Sequence, residues 1–154
     1  MRAVIQRVER ASVEVDGRAV GSCGHGLLIL LGVAPDDTPD TVRRLWSKIA
    51  KLRIFADPQG RTNLSLLDVG GEVLVVSQFT LFADCRKGNR PSFTDAAKPE
   101  LANQLYQQFC QTAQQDVAHV DQGVFGANMR VSLVNDGPFT VCLDTEQLSG
   151  SRRR

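Results

Sequence analysis

The hydrophobic and polar positions of the first third of the chain largely alternate. "AVIQRV" and "SVEVD" both carry the two-residue period of a half-buried strand. Asp16, Gly17 and Arg18 lie between such runs and predict a hairpin turn. "GLLILLGV", residues 26–33, is apolar throughout, as expected of a strand buried on both faces. The period then changes. Val42, Leu45, Trp46 and Ile49 fall at i, i+3, i+4 and i+7, the stripe of an amphipathic helix. Thr38 is suited to cap that helix, with Pro39 at its first position.

"RIFAD" predicts a short strand ended by the turn "DPQG". "GGEVLVVSQFTLF" reads as a further apolar strand, and the polar stretch "ADCRKGNRPSFTDAAKP" follows it. A second helix is expected after Pro99, with Leu101, Leu105, Tyr106 and Phe109 on its inner face. "QDVAHV" returns to a strand pattern. A glycine-punctuated link, "DQGVFGAN", then leads to a closing pair of strands around "NDGPFT", residues 135–140. Glycine and proline are the residues a strand interior tolerates least. This segment is therefore either a hairpin turn or a rigid backbone feature held out for use. Strands dominate and the two main helices lie far apart, so the fold class is α+β with a curved or barrel-like sheet.

At 154 residues the chain is one domain's worth. The expected division is one domain over residues 1–146, with 147–154 a disordered basic tail. Net charge is +1, but without the three arginines of "SGSRRR" the balance is 15 basic to 17 acidic residues. Any polyanion contact must then be a local patch and not a global field. No run approaches the ~18 apolar residues of a membrane span. "MRAVIQRVER" lacks the pattern of a secretory leader. Cys23, Cys85, Cys110 and Cys142 have neither C-x-x-C nor metal-like spacing, which suggests small buried residues in a reducing, cytoplasmic compartment.

Little of the usual catalytic machinery is present. His25 and His119 have no acidic or nucleophilic neighbour at motif spacing, and there is no G-x-S-x-G elbow, Walker loop, G-x-G-x-x-G or H-E-x-x-H. What remains is the polar end of an apolar strand, "VVSQFTL". There Ser77, Gln78 and Thr80 either meet a ligand or satisfy local backbone groups. The next stretch gathers Arg86, Lys87 and Arg90 around Gly88, Asn89 and Pro91, either a solvated loop or an anion-binding one.

"SQFTLFAD", "RKGNRPSF" and "NDGPFT", in that order, resemble the D-aminoacyl-tRNA deacylase (D-tyrosyl-tRNA deacylase) family. The resemblance extends to "IQRV..ASV", "GLLILLGV" and "VSLVNDGP", and so covers the chain to about residue 145. It implies a homodimer, with no metal or other cofactor, that hydrolyses the ester between a D-amino acid and its tRNA. Ser77 and Gln78 would place the terminal adenosine and donate toward the carbonyl. Thr80 matches a threonine proposed as nucleophile, in competition with assistance from the tRNA's own 2′-hydroxyl. Phe79 and Phe125 match positions lining the adenine and substrate pocket, and Asn135 opens the second motif. Gly137 and Pro138 would carry a cis peptide bond, reach across the dimer into the partner's site, and reject L-amino acids by backbone contact. Arg7 would hold that loop. Glycyl-tRNA would be accepted too, because glycine has no side chain to reject. The alternatives are a homologue that binds tRNA or a nucleotide without hydrolysis, and a structural dimer with no ligand. The chain departs from the family at Phe139, where valine is usual, and in its arginine tail.

Overall fold

The computed structural model describes residues 1–149. Its organising element is β1 (Arg2–Val15), which pairs antiparallel with β2 (Arg18–Cys23), β3 (Gly26–Gly32) and the last strand, β8 (Arg130–Asp144). The two alternating runs of the N-terminal sequence are thus one strand. It reads as two because of a bulge: Val8 faces Asn135 while Arg10 faces Val134, leaving Glu9 extra. One extra residue reverses which side chains point inward. Ala3 and Ile5 join one core cluster, whereas Ala11 and Val13, at the same parity, join the other.

The sheet continues in parallel from β3 to β6 (Glu72–Ser77) and then to β7 (Val120–Gln122). As the unbroken apolar run predicts, β3 is covered on both faces. Leu27, Ile29 and Leu31 belong to one cluster and Leu28 to the other. Val73 and Val75 alternate with Leu74 and Val76 in the same way along β6. The parallel pairings need crossovers, supplied by α1 (Pro39–Ala50), the small ribbon of β4 (Phe55–Ala56) and β5 (Thr62–Leu64), the single turn α2 (Leu66–Val69), and α3 (Pro99–Gln114). Thr38 caps α1 and Pro39 opens it as expected, and Val42, Leu45, Trp46 and Ile49 are all buried. Trp46 meets Phe109 of α3 edge to face at 5.8 Å and donates its indole N–H to Asp116 Oδ2 at 2.8 Å.

The sheet curls into a nearly closed barrel, and side chains close it. Between β2 and β7 the Ser22 N–H donates to Asp121 Oδ2 at 2.9 Å, and His119 Nε2 lies 2.7 Å from the Ser22 carbonyl. That hydrogen bond raises the His119 pKa against an opposing cost of burial, with lesser help from the charges of Glu72 and Asp121. A histidine whose folded pKa exceeds its unfolded value stabilises fully below the unfolded value and loses that contribution as pH rises through the folded one. His119→Ala should therefore lower the melting temperature more at about pH 5.5 than at about pH 8.5. An equal loss at both would mean that the imidazolium does not fasten the seam.

Three expected elements differ. The strand through "GGEVLVVSQFTLF" stops at Ser77. The Gln78 N–H makes a last bond to the Leu31 carbonyl at 2.8 Å, and Phe79–Phe82 turn into a 3-10 segment that buries Phe82 beneath Arg2. "QDVAHV" is mostly not a strand, because Asp116 and Val117 N–H groups still bond to the Ala113 carbonyl and only Val120 onward enters the sheet. The region around "NDGPFT" is not a pair of strands but one strand, β8, running through the motif. Past residue 146 the chain continues in the turn α4 (Thr145–Leu148), and the arginines of the expected tail lie outside the described residues. Of the cysteines expected to be buried, Cys23 and Cys110 are, but Cys85 and Cys142 lie in exposed positions. Among the described residues no helix is long and apolar enough to cross a membrane.

Candidate active site

The ends of β3 and β6, the start of α3, residues 125–129 and Val131 surround a cavity of about 540 Å³. Its walls are apolar, and its polar groups are few: Ser77, Gln78 and Asn128. This is the usual make-up of a small-molecule site. A larger, shallower groove of about 620 Å³ lies along α1, lined mainly by lysines and arginines. The enclosed cavity is the better candidate.

Each side chain is positioned by the local fold. Ser77 is the last residue of β6, held opposite Leu31. Gln78 follows at the break in the strand, where extended pairing gives way to the 3-10 turn. Its amide nitrogen donates to Thr80 Oγ1, across a two-residue step. Among the described residues the backbone N–H groups of Phe79 and Thr80 have no protein acceptor. Phe79 and Phe93 stand at the mouth as an edge-to-face pair with centroids 5.1 Å apart, and both are exposed. Exposed aromatic pairs at a cavity mouth are available for stacking on a base. Phe125, half-buried, tilts against Tyr106, whose hydroxyl is anchored on the Val75 carbonyl at 2.8 Å.

No Asp, Glu, His, Lys or Cys lines this cavity. Thr80 is exposed and outside the lining, and its one side-chain contact is an amide donor, which is not a base. No group of three or more His, Cys, Asp or Glu side chains converges among the described residues. The basic loop is partly neutralised. Arg86 grips Asp84 through two nitrogens at 2.8 and 2.7 Å, holding that carboxyl down at about 2. Lys87 and Arg90 are exposed and make no ion pair among the described residues.

The second motif lies elsewhere. Between β1 and β8 the register passes from Gln6 opposite Thr140 to Val8 opposite Asn135. Residues 136–139 therefore bulge out opposite Arg7, and the Gly137–Pro138 peptide bond is cis. Gly137 and Pro138 are exposed, and neither lines the cavity of its own chain. Asn135 braces the base of the bulge: its carbonyl oxygen accepts the Phe139 N–H at 2.7 Å and its amide donates to Thr140 Oγ1 at 3.0 Å. Arg7 braces the top. It donates to the Asp136 carbonyl at 3.1 Å and to the Ile54 carbonyl at 2.5 Å, and lies 4.8 Å over the Phe139 ring. The bulk of Phe139 thus has a use, as a platform for Arg7 that also packs against the helical core. The structure brings Ser77, Gln78, Phe79 and Phe125 together and leaves Asn135, Gly137 and Pro138 apart from them.

Residues 4–144 match the family model described as D-Tyr-tRNA(Tyr) deacylase. The chain belongs to this family. A D-aminoacyl-tRNA deacylase of Roseiflexus castenholzii is 58% identical over 154 residues, covering 100% of this chain and 98% of that protein. The protein of the same name from Thermosipho africanus is 53% identical over 148 residues, covering 96% and 99%. Among solved structures, the c-Myc DNA Unwinding Element Binding Protein is similar with a TM-score of 0.88 at 39% identity, covering 94% of this chain and 98% of that one. A probable eukaryotic D-amino acid tRNA deacylase shares the fold, with a TM-score of 0.81 at 18% identity and coverage of 92% and 97%. The candidate cavity includes residues that sequence patterning does not single out, among them Phe93, Asn128 and Met129. Phe93 had a signal, since it ends the "RKGNRPSF" motif. Met129 had none.

Proposed function

We propose that the protein hydrolyses the ester joining a D-amino acid, or glycine, to the 3′ end of tRNA, in the cytoplasm and as a homodimer. The observation that carries this reading is a cavity holding amide and hydroxyl groups but no ionisable residue. Such a site suits a substrate that is already activated. An aminoacyl ester needs its carbonyl oriented and the developing oxyanion stabilised more than it needs a strong protein nucleophile. Phe79, Phe93 and Phe125 hold the terminal adenosine, while Gln78 and the unpaired N–H groups of Phe79 and Thr80 face the ester oxygen. Water adds to the carbonyl, and the bond to the ribose 3′-oxygen breaks. The neighbouring 2′-hydroxyl is the nearest group able to move the proton.

Chirality is read by Gly137 and Pro138 of the other subunit. Their exposure, their bracing by Arg7 and Asn135, and their separation from their own cavity all support a reach into a partner's site. A backbone wall against the α-carbon excludes an L side chain and leaves a D side chain unread, so many D-residues are accepted. Lys87 and Arg90 meet tRNA phosphates, with Arg86 restrained by Asp84.

Binding of nucleic acid without hydrolysis is the second reading, favoured by the name of the 39%-identical structural relative. Deacylation of D-tyrosyl-, L-tyrosyl- and glycyl-tRNA decides between them. Release from the D and glycyl esters alone is expected. Equal release from D and L would remove the chiral filter, and retention of tRNA with no release from any would leave the binding protein.

A further inference from the structure

The groove along α1 takes no part in the ester chemistry, yet its composition asks for an explanation. Arg43, Arg44, Lys48, Lys51 and Arg53 line it, no carboxylate does, and these five are a third of the 15 lysines and arginines that precede the tail. The rest of the folded body leans acidic, so this is the kind of local patch that a polyanion requires. Helix stability does not account for it. A favourable interaction with the helix dipole explains Lys48 and Lys51 at the C-terminal end but neither Arg43 nor Arg44, a turn or more earlier. Arg43 is paired with Asp40 at 3.1 Å, Arg44 donates to Ser149 Oγ at 2.6 Å, and Arg53 is held by Asn63. Lys48 and Lys51 are exposed and have no partner among the described residues.

Its place in the fold is informative. α1 follows β3 and runs back beside it, which puts the helix C-terminus at the opposite end of the sheet from the cavity. That end is where the bulge lies. Arg53 precedes Ile54, whose carbonyl takes one nitrogen of Arg7, while another nitrogen of Arg7 takes the Asp136 carbonyl. The basic groove and the Gly137–Pro138 bulge are therefore joined through one guanidinium. A bulge that enters a partner's cavity carries this groove to the edge of that cavity.

We infer that the α1 groove of one subunit binds the phosphates of the acceptor arm of the aminoacyl-tRNA whose 3′ end occupies the other subunit's cavity. This rests on the deacylase reading and on its dimer. From Arg43 to Lys51 the helix extends ~12 Å, enough to follow a few phosphates of one strand. Each subunit then supplies its partner with both the chiral wall and the grip on the tRNA body.

The test uses the intact protein with Lys48→Gln and Lys51→Gln together, changes that are neutral for helix propensity. kcat/KM on D-tyrosyl-tRNA should fall roughly tenfold, and its logarithmic dependence on salt should become shallower by about two. Hydrolysis of D-tyrosyl-adenosine, which has no phosphate, should not change. Dimers mixed by co-expression with two tags assign the subunit. With the lysine changes in one subunit and Gln78→Ala in the other, the working cavity lies beside an intact groove and should keep the wild-type KM. With all three changes in one subunit, the remaining cavity lies beside a damaged groove and KM should rise. The reverse pattern would overturn the action across the dimer, and an unchanged kcat/KM and salt slope would overturn the groove itself. If the wild-type protein hydrolyses neither ester, the deacylase reading fails on its own account. The groove is then judged by retention of tRNA, where equal retention by the lysine variant overturns it.

Discussion

Gln78→Ala is expected to cut kcat on D-aminoacyl-tRNA by roughly a hundredfold or more, the scale of a lost oxyanion donor. Thr80→Ala should cost less than about tenfold. The two side chains are hydrogen-bonded to each other, so a simple proximity argument would make them equal partners. Their environments separate them. Gln78 lines the cavity, at the point where the strand breaks. Thr80 is exposed and outside the lining, and nothing beside it accepts a proton from its hydroxyl. It acts as the rest on which the Gln78 amide is oriented, and its loss loosens an aim without deleting a donor. Gln78→Glu sharpens the test, since a carboxylate keeps the shape but donates nothing and should be as slow as alanine. Single-turnover rates at saturating enzyme check all three. If Thr80→Ala abolished turnover while Gln78→Ala retained it, the threonine would be the nucleophile.

Much of the fold was legible because its signals are local and periodic. Thr38 and Pro39 announce α1, the stripe from Val42 to Ile49 gives its buried face, and the run from Gly26 gives a strand with no wet side. What stayed hidden depends on partners distant in sequence. Glu9 looks like any polar strand residue, and only pairing with β8 makes it a bulge that turns the strand inside out. The barrel seam rests on Ser22, His119 and Asp121, about 97 to 99 residues apart. "NDGPFT" left a hairpin turn and a rigid backbone feature both open, because glycine and proline interrupt strands. It is an excursion from one strand, tolerated because β1 supplies Arg7 opposite and pairing resumes on both sides. The candidate site was legible where a motif marked it, from Ser77 to Phe79. It was not legible at Arg86, whose positive charge is taken up by Asp84 two residues earlier.

Gly137→Ala is expected to reduce the preference for D- over L-tyrosyl-tRNA by tenfold or more. The φ of Gly137 is +130°, a backbone region that side-chain-bearing residues rarely adopt. Holding an alanine there costs on the order of 1–3 kcal/mol, and about 1.4 kcal/mol is already a factor of ten. The added methyl would also lie 2.9 Å from Arg7 Nη2, so the bulge or the guanidinium must shift. Either movement displaces the wall proposed to exclude the L side chain. Arg7→Ala should produce the same change by the opposite route, releasing the Asp136 and Ile54 carbonyls and the face of Phe139 while leaving Gly137 itself intact. Arg7→Lys should resemble alanine more than wild type, because an ammonium lacks the planar fork that reaches two carbonyls from above a ring. The expected pattern is a rise in L-ester hydrolysis with D-ester hydrolysis largely kept, since neither Arg7 nor Gly137 lines the cavity proposed to hold the reacting groups. The ratio of kcat/KM for the two esters measures it, and gel filtration checks that each variant keeps the wild-type oligomeric state. A dimer that kept full selectivity after both Gly137→Ala and Arg7→Ala would show that the bulge serves assembly and that chirality is read elsewhere.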